Sequence, residues 1–203
     1  MGNNDADRRE CVSTYLDGLR KCLDALSLEQ IVTFLKYLEQ AYREDRQIFL
    51  IGNGGSAATA SHMACDLGKN ALPNQVENGT HRIRAMALTD CTPWVTALAN
   101  DIGYQHIFAE QLRNWLRPGD LVVAITGSGN SPNIVEAVRV AKAHGAQVVG
   151  ILGFDGGQVR AMVDAYVLVP SANYGHVEDV HLVLDHLATF YFQSCVAVKA
   201  ITD

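Results

Sequence analysis

Two groups of side chains in this sequence have the types and spacing to do chemistry. His62 and Asp66 are four residues apart in a helix-forming run, so they share one helix face. Glu178, His181, Asp185 and His186 crowd a second helical stretch near the end of the chain. A carboxylate and an imidazole together can remove a proton and return it. Mixed nitrogen and oxygen donors also suit a divalent ion, zinc above all, with manganese, iron and nickel as other candidates. At 3.6 residues per turn, Glu178 lies nearer the stripe of His181 and Asp185 than to His186, which is about 80° away. Helical geometry alone therefore selects His181.

Two loops could bring a ligand to such groups. Ile48-Phe49-Leu50-Ile51 is a short apolar, β-rich run that breaks into Gly52-Asn53-Gly54-Gly55-Ser56 before helix formers resume at Ala57. Leu121–Ile125 repeats the pattern: it runs into Thr126-Gly127-Ser128-Gly129-Asn130-Ser131-Pro132-Asn133 and then a helix to His144. Ser56 can cap the first helix; Ser131 and Pro132 fit the cap and first position of the second. The unpaired N–H groups at such helix starts favour an anion, most often phosphate. Neither loop is a P-loop, because no Gly-Lys-Ser/Thr follows, and neither is a dinucleotide G-x-G-x-x-G.

The elements that position these loops alternate. Apolar strands over Ile48–Ile51, Ile83–Leu88, Leu121–Ile125, Val148–Leu152 and Tyr166–Val169 alternate with helices, which implies an α/β fold: a doubly wound, five-stranded parallel sheet covered on both faces. Ligands of such sheets bind beyond the strands' carboxyl ends, where both loops lie, so the two can converge on one phosphorylated ligand. Before the first strand, Arg8–Leu26 carries one apolar stripe, and a capping box at Ser27-Leu28-Glu29-Gln30 starts a helix bearing Ile31, Phe34, Leu35, Leu38 and Tyr42. These two leading helices either pack across the sheet or pair with another subunit; the expectation is the second, with residues 1–45 forming an oligomer surface. Ala71–Thr80 reads as a polar loop, His176 as a loop residue, and Val177–Val198 as one long C-terminal helix.

With 203 residues, 48% of them hydrophobic, the chain fits a single domain over 1–203. A formal charge of −6 without any Lys/Arg cluster argues against a nucleic-acid partner. No run of about 18 apolar residues suggests a membrane span, and the polar start does not resemble a secretion signal. Five scattered cysteines without a C-x-x-C pair suggest neither a disulfide framework nor a cysteine zinc site, so a cytoplasmic location is expected.

The loop Gly52–Ser56 with His62 after it, the loop Thr126–Asn133, the turn Phe154-Asp155-Gly156-Gly157 and a final helix with Glu178, His181 and His186 together resemble the sugar isomerase (SIS) domain family. More narrowly they resemble its phosphoheptose isomerase branch, over nearly the whole chain. That resemblance implies a flavodoxin-like SIS fold, a homotetramer with active sites at subunit contacts, and conversion of sedoheptulose 7-phosphate into D-glycero-D-manno-heptose 7-phosphate. It implies that Asn53, Gly54, Gly55, Ser56, Asn100, Asp101, Gly127 and Glu178 line the substrate and that Thr126, Ser128 and Ser131 hold its phosphate. It also implies a metal, usually zinc, on His62, Asp66, Glu178 and His186, with Asp66 as base and His186, rather than His181, as acid. The chain departs from the family pattern at four places: Asp66 for a glutamate, Glu178 for a glutamine, Gly127 for a threonine and Gly175 for an aspartate. Other readings are an isomerase for a different sugar phosphate, and a non-catalytic SIS scaffold similar to replication-initiator-binding homologues. A scaffold could tolerate an apolar residue at 66 or 178, and this chain keeps carboxylates at both. A sugar-sensing regulator would need a basic recognition helix, which the N-terminal segment lacks.

Overall fold

The computed structural model describes residues 5–72 and 81–196. Helices α1 (Asp5–Asp24) and α2 (Leu28–Arg43) precede β1 (Gln47–Ile51), and α3 (Gly55–Cys65) follows, widening into a π-helical turn over Asp66–Asn70. Then come β2 (Arg84–Ala87), α4 (Thr92–Asp101), a 3₁₀ turn (Tyr104–His106), α5 (Ile107–Trp115), β3 (Leu121–Thr126) and α6 (Pro132–Ala143). The chain continues through β4 (Gln147–Leu152), the short α7 (Gly157–Arg160), β5 (Ala165–Leu168) and α8 (Tyr174–Tyr191), which passes into a π turn at Phe192–Val196. The expected loop over Ala71–Thr80, from Pro73 onward, and the last residues of the expected final helix lie outside the described residues.

All five strands pair in parallel in the order β2-β1-β3-β4-β5, the doubly wound sheet that the alternation implies. The period-two alternation of side chains splits each central strand between two cores. Ile48, Leu50, Val123 and Ile125 face a core shared with Phe34, Leu38, Met63, Val177, Leu184 and Phe192. Phe49, Val122, Ala124 and Val148 face the other, with Phe108, Leu112, Ile134 and Val138. Each large side chain buried this fully contributes about 1.5–3 kcal/mol, so Leu50→Ala, which also leaves a cavity, would cost about 2–5 kcal/mol.

The two leading helices part company. Ile31, Phe34, Leu35, Leu38, Ala41 and Tyr42 of α2 are buried, so α2 packs across the sheet. Only the serine half of the expected capping box forms: the Ser27 hydroxyl accepts the Gln30 amide at 3.3 Å, and Gln30 Oε1 accepts the Leu168 amide at 3.0 Å, tying α2 to β5. In α1 only Cys22 is buried, while Val12, Leu16 and Leu23 stay exposed. Besides Cys22 and Leu19, which pack on the core, α1 is held by Tyr15, whose hydroxyl donates to Asp179 at 2.7 Å and whose ring lies 4.5 Å from that of His176. His176 is thus a buried helix residue rather than a loop residue; α8 starts earlier than its apolar pattern indicates because Asn173 caps it, accepting the His176 amide.

Two features of this frame matter for a site. The strand order reverses between β1 and β3, so the loops leaving them diverge above that seam. Helices α3 and α8 pack side by side in the same direction, Gly55 beside Glu178 and His62 beside His186. Among the described residues, no helix is long and apolar enough to cross a membrane.

Candidate active site

The two hydroxyl-glycine loops do meet. A cavity of about 180 Å³ at the β1/β3 seam is lined by Asn53, Ser56, Ile125, Thr126, Gly127, Ser128, Ser131, Tyr174 and Glu178. Ser131 occupies the cap position of α6 with Pro132 behind it, yet its hydroxyl makes no capping bond and remains available to a ligand. Thr126 Oγ1 accepts the Gly129 amide at 3.2 Å and so shapes the loop from beneath. Asn53 is fixed from two sides: it exchanges amide hydrogen bonds with Asn133 at 2.9 and 2.8 Å, and its carbonyl accepts the Tyr104 hydroxyl at 2.9 Å. No Lys or Arg lines the cavity, so hydroxyls, amides and the α6 N-terminus are its means of holding an anion. A larger cavity, about 650 Å³, lies beside it across Ser128 and Tyr174, reaching Phe154, Asp155 and Ser171.

Gly54 and Gly55 are exposed at the start of α3, and Gly54 takes the cap position at φ +55°. The expected Ser56 cap is not formed; Ser56 is buried within the first turn. Gly55 is required by a close approach, because a Cβ there would lie 2.4 Å from a carboxylate oxygen of Glu178. The Glu178 carboxylate therefore already occupies the anion-favouring end of α3. The two glycine departures from the family pattern are filled by tyrosines. A Cβ at Gly127 would come within 3.1 Å of the Tyr174 ring, and one at Gly175 within 2.7 Å of the Tyr15 hydroxyl.

The titratable groups gather two turns further along. His62, Asp66, Asp185 and His186 each offer a ligand atom within 4.8 Å of the others. His62 Nε2 lies 3.6 Å from Asp66 Oδ2 and 3.4 Å from His186 Nε2, and the two rings are 5.1 Å apart. Asn70, in the π turn, donates to Asp66 Oδ1 at 2.7 Å and fixes that carboxylate. The widening of α3 begins at Asp66, a local distortion of the kind often found where a helix serves a site. Two imidazoles facing each other beside two carboxylates form a donor set that fits a divalent ion.

Glu178 does not reach this cluster. It stands eight residues before His186 on α8, about 12 Å along the helix, and its carboxylate turns toward Gly55. Asp185 stands at the cluster instead. Helical geometry measured from Glu178 selects His181, whereas the residues that gather around His62 and Asp66 are Asp185 and His186. His181 is fully buried and burial pushes it down to about 4, with the Leu152 backbone opposing. Asp185 moves the other way: burial, then the charge of Asp66, push it up to about 7, with His186 opposing.

Asn100 and Asp101 lie exposed at the end of α4, bonded to each other at 2.8 Å, and are not part of the cavity lining. Tyr104, just beyond them, reaches Asn53 in their place. Neither Tyr104, Asn133 nor Tyr174 carries a sequence signal, because each acts through a neighbour distant in the chain. Asp185 did carry one, an acidic residue on the same helical stripe as His181 and Leu184.

The SIS domain model matches residues 14–153. A phosphoheptose isomerase of Geobacter sulfurreducens is 36% identical over 180 residues, covering 87% of this chain and 92% of that protein. The structure of a phosphoheptose isomerase from Neisseria gonorrhoeae superposes with a TM-score of 0.82 at 31% identity, over 92% of this chain and 98% of that one. One from Francisella tularensis also gives 0.82, at 25% identity, over 94% and 98%. The chain belongs to the SIS domain family and, within it, to the phosphoheptose isomerase branch.

Proposed function

We propose that this chain is a phosphoheptose isomerase, an enzyme that converts the ketose sedoheptulose 7-phosphate into the aldose D-glycero-D-manno-heptose 7-phosphate. The observation that carries the reading is a separation: the hydroxyl-glycine cavity and the titratable cluster lie about 10 Å apart along α3, from Gly55 to His62. A long sugar phosphate likewise carries its phosphate and its carbonyl at opposite ends. The curated relatives named phosphoheptose isomerase support the same substrate.

The roles of the residues follow from that placement. Ser128, Ser131, Thr126 and the start of α6 bind the phosphate; Asn53, held by Asn133 and Tyr104, and Glu178 hold the sugar hydroxyls. Asp66 takes the proton from C1 beside the C2 carbonyl and His186 supplies the proton that C2 receives, while the hydroxyl proton passes from O1 to O2; proton exchange with solvent then returns Asp66 and His186 to their starting states. His62, Asp66 and His186 can also hold a divalent ion, zinc for preference, which when bound would polarise the carbonyl as a Lewis acid. Homotetramer formation in the cytoplasm completes the reading, and the exposed Val12, Leu16 and Leu23 of α1 are the surface it would cover. One observation favours a different sugar phosphate: Tyr174 over Gly127 changes the wall beside the phosphate loop.

The test is an assay of metal-replete protein with sedoheptulose 7-phosphate, the aldose followed by NMR, with chelator-treated protein alongside. Formation of the heptose phosphate is expected. A folded, ion-loaded protein that leaves the ketose unchanged would transfer the proposal to another phosphosugar.

A further inference from the structure

Asp185 is buried without anything in the fold to satisfy it. Its side chain is 0% exposed, and neither carboxylate oxygen has a hydrogen-bond partner. An ionised carboxylate buried alone costs several kcal/mol, which proteins avoid by pairing the charge or ligating a metal. Among the described residues no lysine or arginine pairs with it, and none of their ion pairs includes it. What does surround it is His62, Asp66 and His186, with ligand atoms within 4.8 Å.

We propose that Asp185 is the fourth ligand of a divalent ion held by His62, Asp66 and His186, all within one protomer, and that Glu178 is not a ligand. The use of that ion in isomerisation rests on the function proposed above; its binding does not. Neighbouring residues on a helix point about 100° apart, yet Asp185 and His186 can share one ion because they approach it from different sides. The short buried Asp185 reaches it from the core, and the longer, exposed His186 from solvent. Two neutral imidazoles and two carboxylates balance a doubly charged ion, and four nitrogen and oxygen donors match the coordination zinc prefers. Glu178 has meanwhile been committed elsewhere: its carboxylate lies over Gly55 and lines the sugar cavity. In this chain the fourth ligand has therefore moved seven residues along α8, and the carboxylate it leaves behind faces the substrate.

The experiment is a calorimetric titration of chelator-treated, full-length protein with zinc chloride alone, with thermal melts of ion-free and zinc-loaded samples in parallel. Wild-type protein should bind one zinc per chain and melt higher when loaded. Asp185→Asn, which keeps the shape, should weaken zinc binding at least tenfold; Glu178→Gln should leave it within about threefold. Asp185→Val, apolar and close in size, should melt at or above the ion-free wild type and show no rise with zinc, so that lost binding is not mistaken for lost folding. The inference is overturned by a wild-type protein that binds no zinc, by an undiminished zinc response in Asp185→Val, or by Glu178→Gln losing the ion. Because no sugar is present, zinc binding through Asp185 in a protein inactive on sedoheptulose 7-phosphate would sink the function and leave the ligand set standing. An active enzyme whose Asp185 variants keep zinc would do the reverse.

Discussion

Replacing Gly55 with alanine separates stability from activity and tests whether the position of Glu178 matters. Gly55 is the first helical residue of α3 and its backbone is not in the left-handed region, so alanine is tolerated by the main chain. The added Cβ meets only the far end of a flexible side chain, at 2.4 Å from one Glu178 oxygen and 2.5 Å from the other. To reach ordinary contact the carboxylate must retreat by about 1 Å, a displacement that at a reacting centre can cost about a hundredfold. It retreats toward the cavity of about 180 Å³ that the sugar is proposed to occupy. Stability should move the other way, because losing a glycine's unfolded-state freedom favours the fold by about 0.4–1 kcal/mol. The expected result is a Tm raised by about 1–4 °C and a kcat/KM on sedoheptulose 7-phosphate lowered by about a hundredfold, roughly 2.7 kcal/mol. The double variant Gly55→Ala with Glu178→Asp, one methylene shorter, should regain part of the loss. A Gly55→Ala enzyme within threefold of wild type, with its Tm raised, would refute the reasoning.

Other expectations follow from single groups. Ser128→Ala should raise KM about tenfold or more with little change in kcat, because a hydrogen bond to a charged phosphate serves ground and transition states alike; steady-state kinetics decide it. Asp66→Asn and His186→Gln should each lower kcat by at least about a hundredfold while circular dichroism reports an intact fold; near-normal rates in both would remove them from the mechanism. His181 gives ion-free protein an acid-side instability: folded, it is held down to about 4 from its ordinary 6.5, so below that ordinary value the unfolded chain takes up a proton that the fold refuses. Asp185, pushed up to about 7, works the opposite way over the same range, so the His181 share is read as a difference: His181→Leu should gain on wild type by at most about 3 kcal/mol as the pH drops from about 6.5 to about 4, in urea melts at successive pH values.

The fold was legible because each of its signals was local and repeated. Five apolar runs alternating with helices allow hardly any arrangement except a doubly wound parallel sheet, and the hydroxyl-glycine loops had to lie at its carboxyl edge. What sequence could not supply was the fate of side chains whose partner lies far along the chain. Gln30 looks like a capping residue until β5 offers it the Leu168 amide. His176 looks like a loop residue until Tyr15, 161 positions away, closes over it and its Nε2 meets the Tyr15 carbonyl. Glu178 and Asp185 are both acidic residues on α8, and seven residues turn a helix almost twice, so the two point in similar directions. Only the packing of α3 alongside, Gly55 at one level and His62 at the other, determines which carboxylate meets the histidines.

The same packing resolves a difficulty with charge. A sugar phosphate brings negative charge to a region where Asp66, Asp185 and Glu178 already stand, and none of the residues lining the cavity is a lysine or arginine. The chain separates the two sets by elements: the carboxylates lie along the α3–α8 seam, while the phosphate loop is carried by β3 and the start of α6. Ser131 caps α6 without spending its hydroxyl, and Pro132 carries no N–H, so the donors left for an anion are hydroxyls and the amides beyond. The start of α3, the other natural anion site, already has the Glu178 carboxylate over Gly55, so a phosphate has only the α6 end to take. Under the proposed function, that sets the direction of the substrate: phosphate at β3 and carbonyl toward the histidines. It also leaves Asp185, a buried carboxylate with no hydrogen-bond partner, beside Asp66 and two histidines, where the proposed divalent cation would sit.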